Sequence, residues 1–207
     1  MALGSGSWYR RNALGRAGLK PGMRVVDIGV GTGLTAREAA ALVGGGGQVT
    51  GVDPSLGMLQ RARVPSRVKL LLGSAEFIPL PAESADFLSM GYALRHIADF
   101  TGAFEEFRRV LVPGGRMCLM EITPPKNQVG RALLKGYMRG VVPLAAGILG
   151  ANAESPQLMR YYWDTIESCA PPGQILASIR AAGFTDVRRC VTLGIFSEYC
   201  ALRPHTH

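Results

Sequence analysis

Residues 25–33 read Val25-Val26-Asp27-Ile28-Gly29-Val30-Gly31-Thr32-Gly33. An apolar run carrying one acidic residue passes straight into a glycine loop, and helix-forming sequence (34–43) follows at once. Strand, glycine turn and helix in that order mark the place where an α/β domain holds a cofactor. The glycine spacing narrows the choice. A dinucleotide fingerprint needs G-x-G-x-x-G, its third glycine allowing close helix–strand packing. Here Gly33 comes one residue early, and Leu34 fills the reserved position. A P-loop needs Lys-Ser or Lys-Thr after the glycines, and neither follows.

Downstream, apolar runs alternate with helical patterns. Strands are expected at 24–28, 48–52, 68–72, 85–90 and 116–122, and helices at 34–43, 55–62 and 101–111. Val112-Pro113-Gly114-Gly115 reads as a tight turn from helix to strand. A further helix at 172–182 is stopped by Gly183, and strands at 186–192 and 195–202 are close enough to pair antiparallel. The pattern predicts an α/β fold, a Rossmann-like doubly wound seven-stranded sheet that is mostly parallel with an antiparallel last strand. Residues 124–167 break the alternation and read as a helical cap insert over the active site. With 207 residues and 47% hydrophobic content, the chain suits a single domain, 1–207, with a full core.

The net charge of +8 is carried mostly by arginine and fits either an anionic partner or an inert basic surface. Cys118, Cys169, Cys190 and Cys200 contain no C-x-x-C pair and no metal-ligand spacing, and no secretory signal precedes them. Reduced thiols in a cytoplasmic enzyme without a bound metal are expected. Cys190 and Cys200, on neighbouring candidate strands, could approach each other, but buried thiols are the favoured reading. The longest apolar stretch, 140–150, is interrupted by Pro143 and is too short to span a bilayer.

The D-x-G-x-G-x-G pattern after a first strand resembles motif I of the class I S-adenosylmethionine-dependent methyltransferases. The resemblance implies S-adenosylmethionine as the cofactor. Absent Cβ atoms at Gly29, Gly31 and Gly33, with Thr32 in the same loop, let the backbone approach the methionine part. Asp27 can accept a hydrogen bond from the ammonium group. A glycine turn in some other α/β domain is the competing reading. Asp53, at the end of the second strand, has the carboxylate that suits a ribose diol and lies at the expected distance from Gly29. Its alternative is a plain helix N-cap. Pro54 follows it, and Met58, one turn on, can lie against adenine. After the third strand, Ser74 stands where the superfamily often has Asp or Asn for the adenine amino group, and the Ala75 backbone can meet the ring.

The fourth strand leads into Gly91-Tyr92-Ala93-Leu94-Arg95-His96, at the strand end that faces the ligand crevice. Gly91 joins the cofactor set, and Tyr92, Arg95 and His96 are the candidates to meet the acceptor. Nucleic-acid amino methyltransferases carry [D/N]-P-P-[Y/F] here and pyrimidine C5 enzymes a Pro-Cys nucleophile. Both are absent, so no nucleic-acid substrate is expected. His96 has a suitable unperturbed pKa, about 6.5, for a general base, Arg95 can stabilise a phenolate, and Tyr92 can orient a ring. The structural alternatives are a capping histidine and an Arg95–Asp99 ion pair at i,i+4 spacing.

Ala75–Pro81, Tyr92–His96, Phe107–Arg116 and Glu121, followed by Tyr137 before Val141-Val142-Pro143, Tyr161-Tyr162 before Ile166, Ala182-Gly183-Phe184, Thr192 and Gly194, together resemble the ubiquinone/menaquinone C-methyltransferase family. The likeness runs from about Trp8 through most of the chain. It implies C-methylation of a quinol or another small aromatic or lipid-like acceptor. Departures are Val30 for Gly, His96 for Asn and Tyr199 for His. The family's helical segment upstream of Trp8 is nearly missing, so either another element closes the cleft or the acceptor site is open. O- or N-methylation of a specialised metabolite or phospholipid headgroup is the alternative within the enzyme class. A non-catalytic cofactor-binding scaffold is the alternative outside it. In the insert, Arg131, Lys135 and Arg139 recur every four residues opposite Leu133, Leu134, Tyr137 and Met138. This basic amphipathic helix reads as a peripheral membrane contact or as the solvated face of the cap. Tyr161, Tyr162 and Trp163 suggest an aromatic acceptor wall or ordinary core.

Overall fold

Val26 and Ile28 enter one apolar cluster and Val25 the other, so the first strand is covered on both faces. The computed structural model describes residues 5–125, 128–136, 164–166 and 169–205. In chain order the elements are α1 (Ser5–Arg16), β1 (Arg24–Ile28), α2 (Leu34–Val43), β2 (Gln48–Asp53), α3 (Leu56–Arg61), β3 (Val68–Leu72) and β4 (Ala85–Gly91). There follow a 3₁₀ turn (Leu94–His96), α4 (Phe100–Val110), β5 (Leu111–Ile122), α5 (Gln128–Gly136), α6 (Pro172–Ala181), β6 (Thr185–Thr192) and β7 (Phe196–Leu202).

The seven strands form one sheet in the order β3-β2-β1-β4-β5-β7-β6. Pairs from β3 through β5 are parallel, and β7 runs antiparallel to both β5 and β6. This is the doubly wound sheet that the alternation predicts. α1 and α2 cover one face, burying Tyr9, Leu14, Ala36, Ala40 and Val43. α4 and α6 cover the other with Phe104, Phe107, Ile175 and Ile179. Burying one such large side chain contributes roughly 1.5–3 kcal/mol. The strand order reverses between β1 and β4, and a ligand crevice opens outside the carboxyl ends of strands at such a switch point.

Two expectations need correction, and one helix went unread. The segment Val112–Gly115 is not an isolated turn before a strand, because β5 already begins at Leu111. Ala85 pairs with Leu111 and Phe87 with Arg116, so residues 112–115 are accommodated as a bulge. Gly114, at φ 80°, donates to the Arg203 carbonyl, and the Arg203 N–H donates to Gly115. The cysteine pairing also differs. Register sets Cys200 opposite Cys118, whereas Cys190 faces Glu198. All four are free thiols. Finally, residues 5–16 form a helix that the apolar pattern does not announce.

Of the insert, Gln128–Gly136 is helical as expected and Lys135 is exposed. The Arg131 and Leu133 side chains, Arg139, the 137–143 segment, Tyr161, Tyr162 and Trp163 lie outside the described residues. Among the described residues, no helix is long and apolar enough to cross a membrane.

Candidate active site

The loop after β1 is a run of left-handed turns: Gly29, Gly31 and Gly33 have φ of 64°, 52° and 86°. At Gly29 a Cβ would also lie 2.5 Å from that of Ala93, so this residue lets the β1 and β4 loops touch. Val30, which replaces the family's glycine, is buried and donates its N–H to the Val52 carbonyl at 3.0 Å. Its side chain occupies the space above Gly51, where a Cβ would come within 2.7 Å. Thr32 is exposed and its carbonyl accepts the Arg63 N–H.

Asp27 is 1% exposed. Its Oδ1 accepts the Ser89 hydroxyl at 2.6 Å, and its Oδ2 has no hydrogen-bond partner. Burial pushes its pKa up to about 7, against the downward pull of Ser89, the Arg10 charge and the Ala36 N–H. A buried carboxylate with one oxygen unsatisfied fits a ligand ammonium.

Asp53 is buried and bridges two loops. Oδ2 accepts the Gly31 N–H at 2.8 Å and Oδ1 the Ser55 N–H at 2.9 Å. The N-cap of α3 is Ser55, whose hydroxyl accepts the Met58 N–H, so the plain-cap reading of Asp53 does not hold. Pro54 and Met58 are exposed beside it. The Gly73 N–H donates to the Asp53 carbonyl, which ties the β3 loop to the same corner. Within that loop the Ser74 hydroxyl accepts the Phe77 N–H, and Ala75 is half-buried.

β4 ends at Gly91 against Thr35 of α2. Tyr92 follows with φ 62°, a strained conformation for an aromatic residue. Its N–H donates to Met120, and burial raises its pKa to about 12. The 3₁₀ turn then directs Arg95 inward. Its Nη1 lies 2.8 Å from Glu121 Oε1, with the two side chains 6% and 1% exposed, and its backbone N–H donates to the other oxygen. The alternative Arg95–Asp99 pair does not form. Asp99 instead caps α4 by accepting the Thr101 N–H. Burial raises the Glu121 pKa, and Arg95 opposes that shift. His96 is exposed, and partial desolvation followed by the nearby Arg95 charge lowers its pKa, so the ring is neutral at pH 7. Tyr199 is a core residue, paired in register with Leu119.

The expected cofactor residues therefore meet at the carboxyl ends of β1, β2, β3 and β4, and the acceptor candidates stand beside them. Motif reading missed two residues. Glu121 belongs to the resembling segments but had no assigned role, and Arg10 of α1 lies with its guanidinium 5.0 Å above the Tyr92 ring. No local pattern marks either. Among the described residues, no group of three or more His, Cys, Asp or Glu is placed to hold a metal ion.

Comparison with known proteins finds relatives along nearly the whole chain. The demethylmenaquinone methyltransferase of Mycobacterium sp. (strain KMS) is 31% identical over 205 residues, 99% of this chain and 86% of that one. The ubiquinone/menaquinone biosynthesis C-methyltransferase UbiE of Syntrophotalea carbinolica is 34% identical over 202 residues, 94% of this chain and 83% of its own. A SAM-dependent methyltransferase from Aquifex aeolicus shares the fold at 19% identity, with a TM-score of 0.70 covering 94% of this chain and 89% of that one. The ubiE/COQ5 methyltransferase family matches residues 1–203. A glycine loop with an unsatisfied buried carboxylate, joined to whole-chain similarity, leaves one conclusion: the chain belongs to the ubiE/COQ5 methyltransferase family and is an S-adenosylmethionine-dependent enzyme.

Proposed function

We propose that this enzyme methylates a ring carbon of a quinol in quinone biosynthesis. The observation that carries the reading is the full-length likeness to quinone-ring C-methyltransferases. The buried Arg95–Glu121 pair beside Tyr92 and His96 supports it as an acceptor corner. When bound, S-adenosylmethionine supplies a methyl group on a positively charged sulfur, already activated for in-line displacement. The chain's residues hold and prepare the two partners. Asp27 binds the ammonium, Asp53 takes the ribose hydroxyls, and the loop residues Gly29–Gly33, with Pro54, Met58, Ser74, Ala75 and Gly91, line the rest.

On the acceptor side, neutral His96 accepts the phenol proton and Arg95 stabilises the phenolate that forms. Glu121 holds Arg95 in place, and Tyr92 orients the ring. Loss of the phenol proton would leave the ring carbon ortho to the oxygen electron-rich, and the cofactor, held by Asp27 and Asp53, would supply the methyl group. Arg131, Lys135 and Arg139 recur every four residues in the sequence, and this basic spacing suits contact with an anionic membrane where a prenylated acceptor resides. Vesicle flotation that ignores anionic lipid and salt would remove that contact.

The deciding experiment is transfer of a labelled methyl group to reduced naphthoquinols and benzoquinols, alongside phenols, amines and lipids, with product identification. Label on a quinol ring carbon is expected. Label found only on oxygen, nitrogen or a phospholipid headgroup would refute the proposal.

A further inference from the structure

We infer that Arg189 is a specificity residue for the acceptor, its guanidinium taking a second ring oxygen across the ring from the hydroxyl at Arg95 and His96. Register puts Arg189 on the acceptor's side of the sheet. Glu121 pairs with Ser197, Leu119 with Tyr199, and Tyr199 in turn with Arg189. Register partners share a face, and so do residues two apart on a strand, so Arg189 stands on the face that holds Glu121 and its partner Arg95. From the level of Leu119 its side chain leans towards the carboxyl end of β5, to the level of Glu121. The guanidinium carbon lies 5.9 Å from the centre of the Tyr199 ring, and Nε and Nη2 donate to the Ser197 hydroxyl at 3.0 and 2.8 Å. These two bonds fill the lone pairs of that oxygen, so the Ser197 proton goes to Thr123 Oγ1, 2.7 Å away. Thr123 follows the last residue of β5, at the crevice end.

The guanidinium is half-buried and lacks an anion. Among the described residues no carboxylate pairs with Arg189, whereas the neighbouring exposed Arg188 pairs with Asp186. A neutral hydroxyl answers only part of its N–H donors, and a cation partly withdrawn from water favours an oxygen ligand for the rest. The anchors of the two guanidiniums, Glu121 for Arg95 and Ser197 for Arg189, sit opposite each other on adjacent strands, about 5 Å apart. A six-membered ring with an oxygen at each end matches that separation, and a ring with one oxygen meets Arg95 alone. With Arg95, Arg189 and the one carboxylate of Glu121, the row is also net positive, which favours a phenolate.

The inference rests on the quinol reading above and names the residue that reads the second oxygen. The test is steady-state methyl transfer, under reducing conditions, to naphthohydroquinone and to α-naphthol, the same ring with one oxygen. The wild type is expected to show the lower KM for the diol. Arg189→Gln, on an edge strand and half-exposed, is expected to raise that KM about ten- to a hundredfold, to change kcat little, and to leave the α-naphthol KM nearly unchanged. Ser197→Ala, which keeps the guanidinium but removes its anchor, is expected to reduce the preference in the same direction. Equal weakening of both acceptors by Arg189→Gln would mean a packing role and overturn the inference, as would an unchanged preference in that variant. Equal KM values for the two acceptors in the wild type would overturn it too, and would leave the quinol reading standing. Transfer by the wild type to neither acceptor would remove that reading, and the inference with it.

Discussion

Asp27 makes the stability of the fold depend on pH. Its carboxyl is buried and its pKa is raised to about 7, chiefly by burial. In an unfolded chain the same group titrates near 3.9. Between those values the native state keeps a proton that the unfolded state has released. Stability is therefore fully present below about pH 4, falls by roughly 1.4 kcal/mol per pH unit as pH rises, and levels off above about pH 7. The whole window is worth at most about 4 kcal/mol, and the part from pH 5 to 7 about 2–3 kcal/mol, against a typical total of roughly 5–15 kcal/mol. Asp27→Asn removes the titration. The new amide brings its own offset of about 1–3 kcal/mol, since its NH₂ would replace an oxygen that has no partner, but that offset is independent of pH and cancels in the slope. Urea unfolding followed by circular dichroism at pH 5, 6, 7 and 8 measures both proteins. The wild type is expected to lose about 2–3 kcal/mol relative to the variant between pH 5 and 7 and little more by pH 8. Saturating S-adenosylhomocysteine should stabilise the wild type increasingly over the same range, because its ammonium favours the ionised carboxylate. Parallel pH profiles for wild type and variant would refute the argument.

Asp53→Ala should weaken S-adenosylhomocysteine about a hundredfold, with Asp53→Asn intermediate because it keeps the acceptor for the Gly31 N–H; unchanged calorimetric affinity would exclude the ribose role. Arg95→Ala strands Glu121 in the interior and is expected to cost about 3–5 kcal/mol in denaturant unfolding, most of which the double change Arg95→Ala with Glu121→Leu recovers; a double variant no more stable than the single one contradicts this. With the His96 pKa lowered below its usual value, log kcat/KM should fall only at acidic pH, below about 6.5, and His96→Ala should erase that limb and slow the reaction about 10²–10⁴-fold; a profile unchanged in shape and height rules out the base.

The parts of this molecule legible in its sequence are those that local geometry dictates. β1, β2 and β4 read as apolar runs because both faces are covered, and the turn after β1 reads as glycine because three positive φ angles occur within five residues. Asp27 and Asp53 follow from their positions at strand ends. The Arg95 partner does not follow, because the i,i+4 rule presumes a continuous helix. Here a three-residue 3₁₀ turn and an extended Asp99 break that spacing, and β5 brings Glu121 from the neighbouring strand. α1 is equally hidden: its buried residues are only Tyr9, Arg10, Ala13 and Leu14, interspersed with Gly6, Gly15 and exposed arginine.

That contrast falls along a chemical line. The turn after β1 is written in glycines, whose absence of a side chain is itself the signal. The charges around it are different, because a guanidinium or carboxylate acquires its role only from what tertiary packing sets beside it. Arg10 and Arg11 are adjacent and chemically identical, yet one is buried over Tyr92 with an unsatisfied Nε and the other faces solvent. What such charges do is therefore set by tertiary contacts that composition and spacing do not describe, Arg10 over the Tyr92 ring and Arg95 against Glu121.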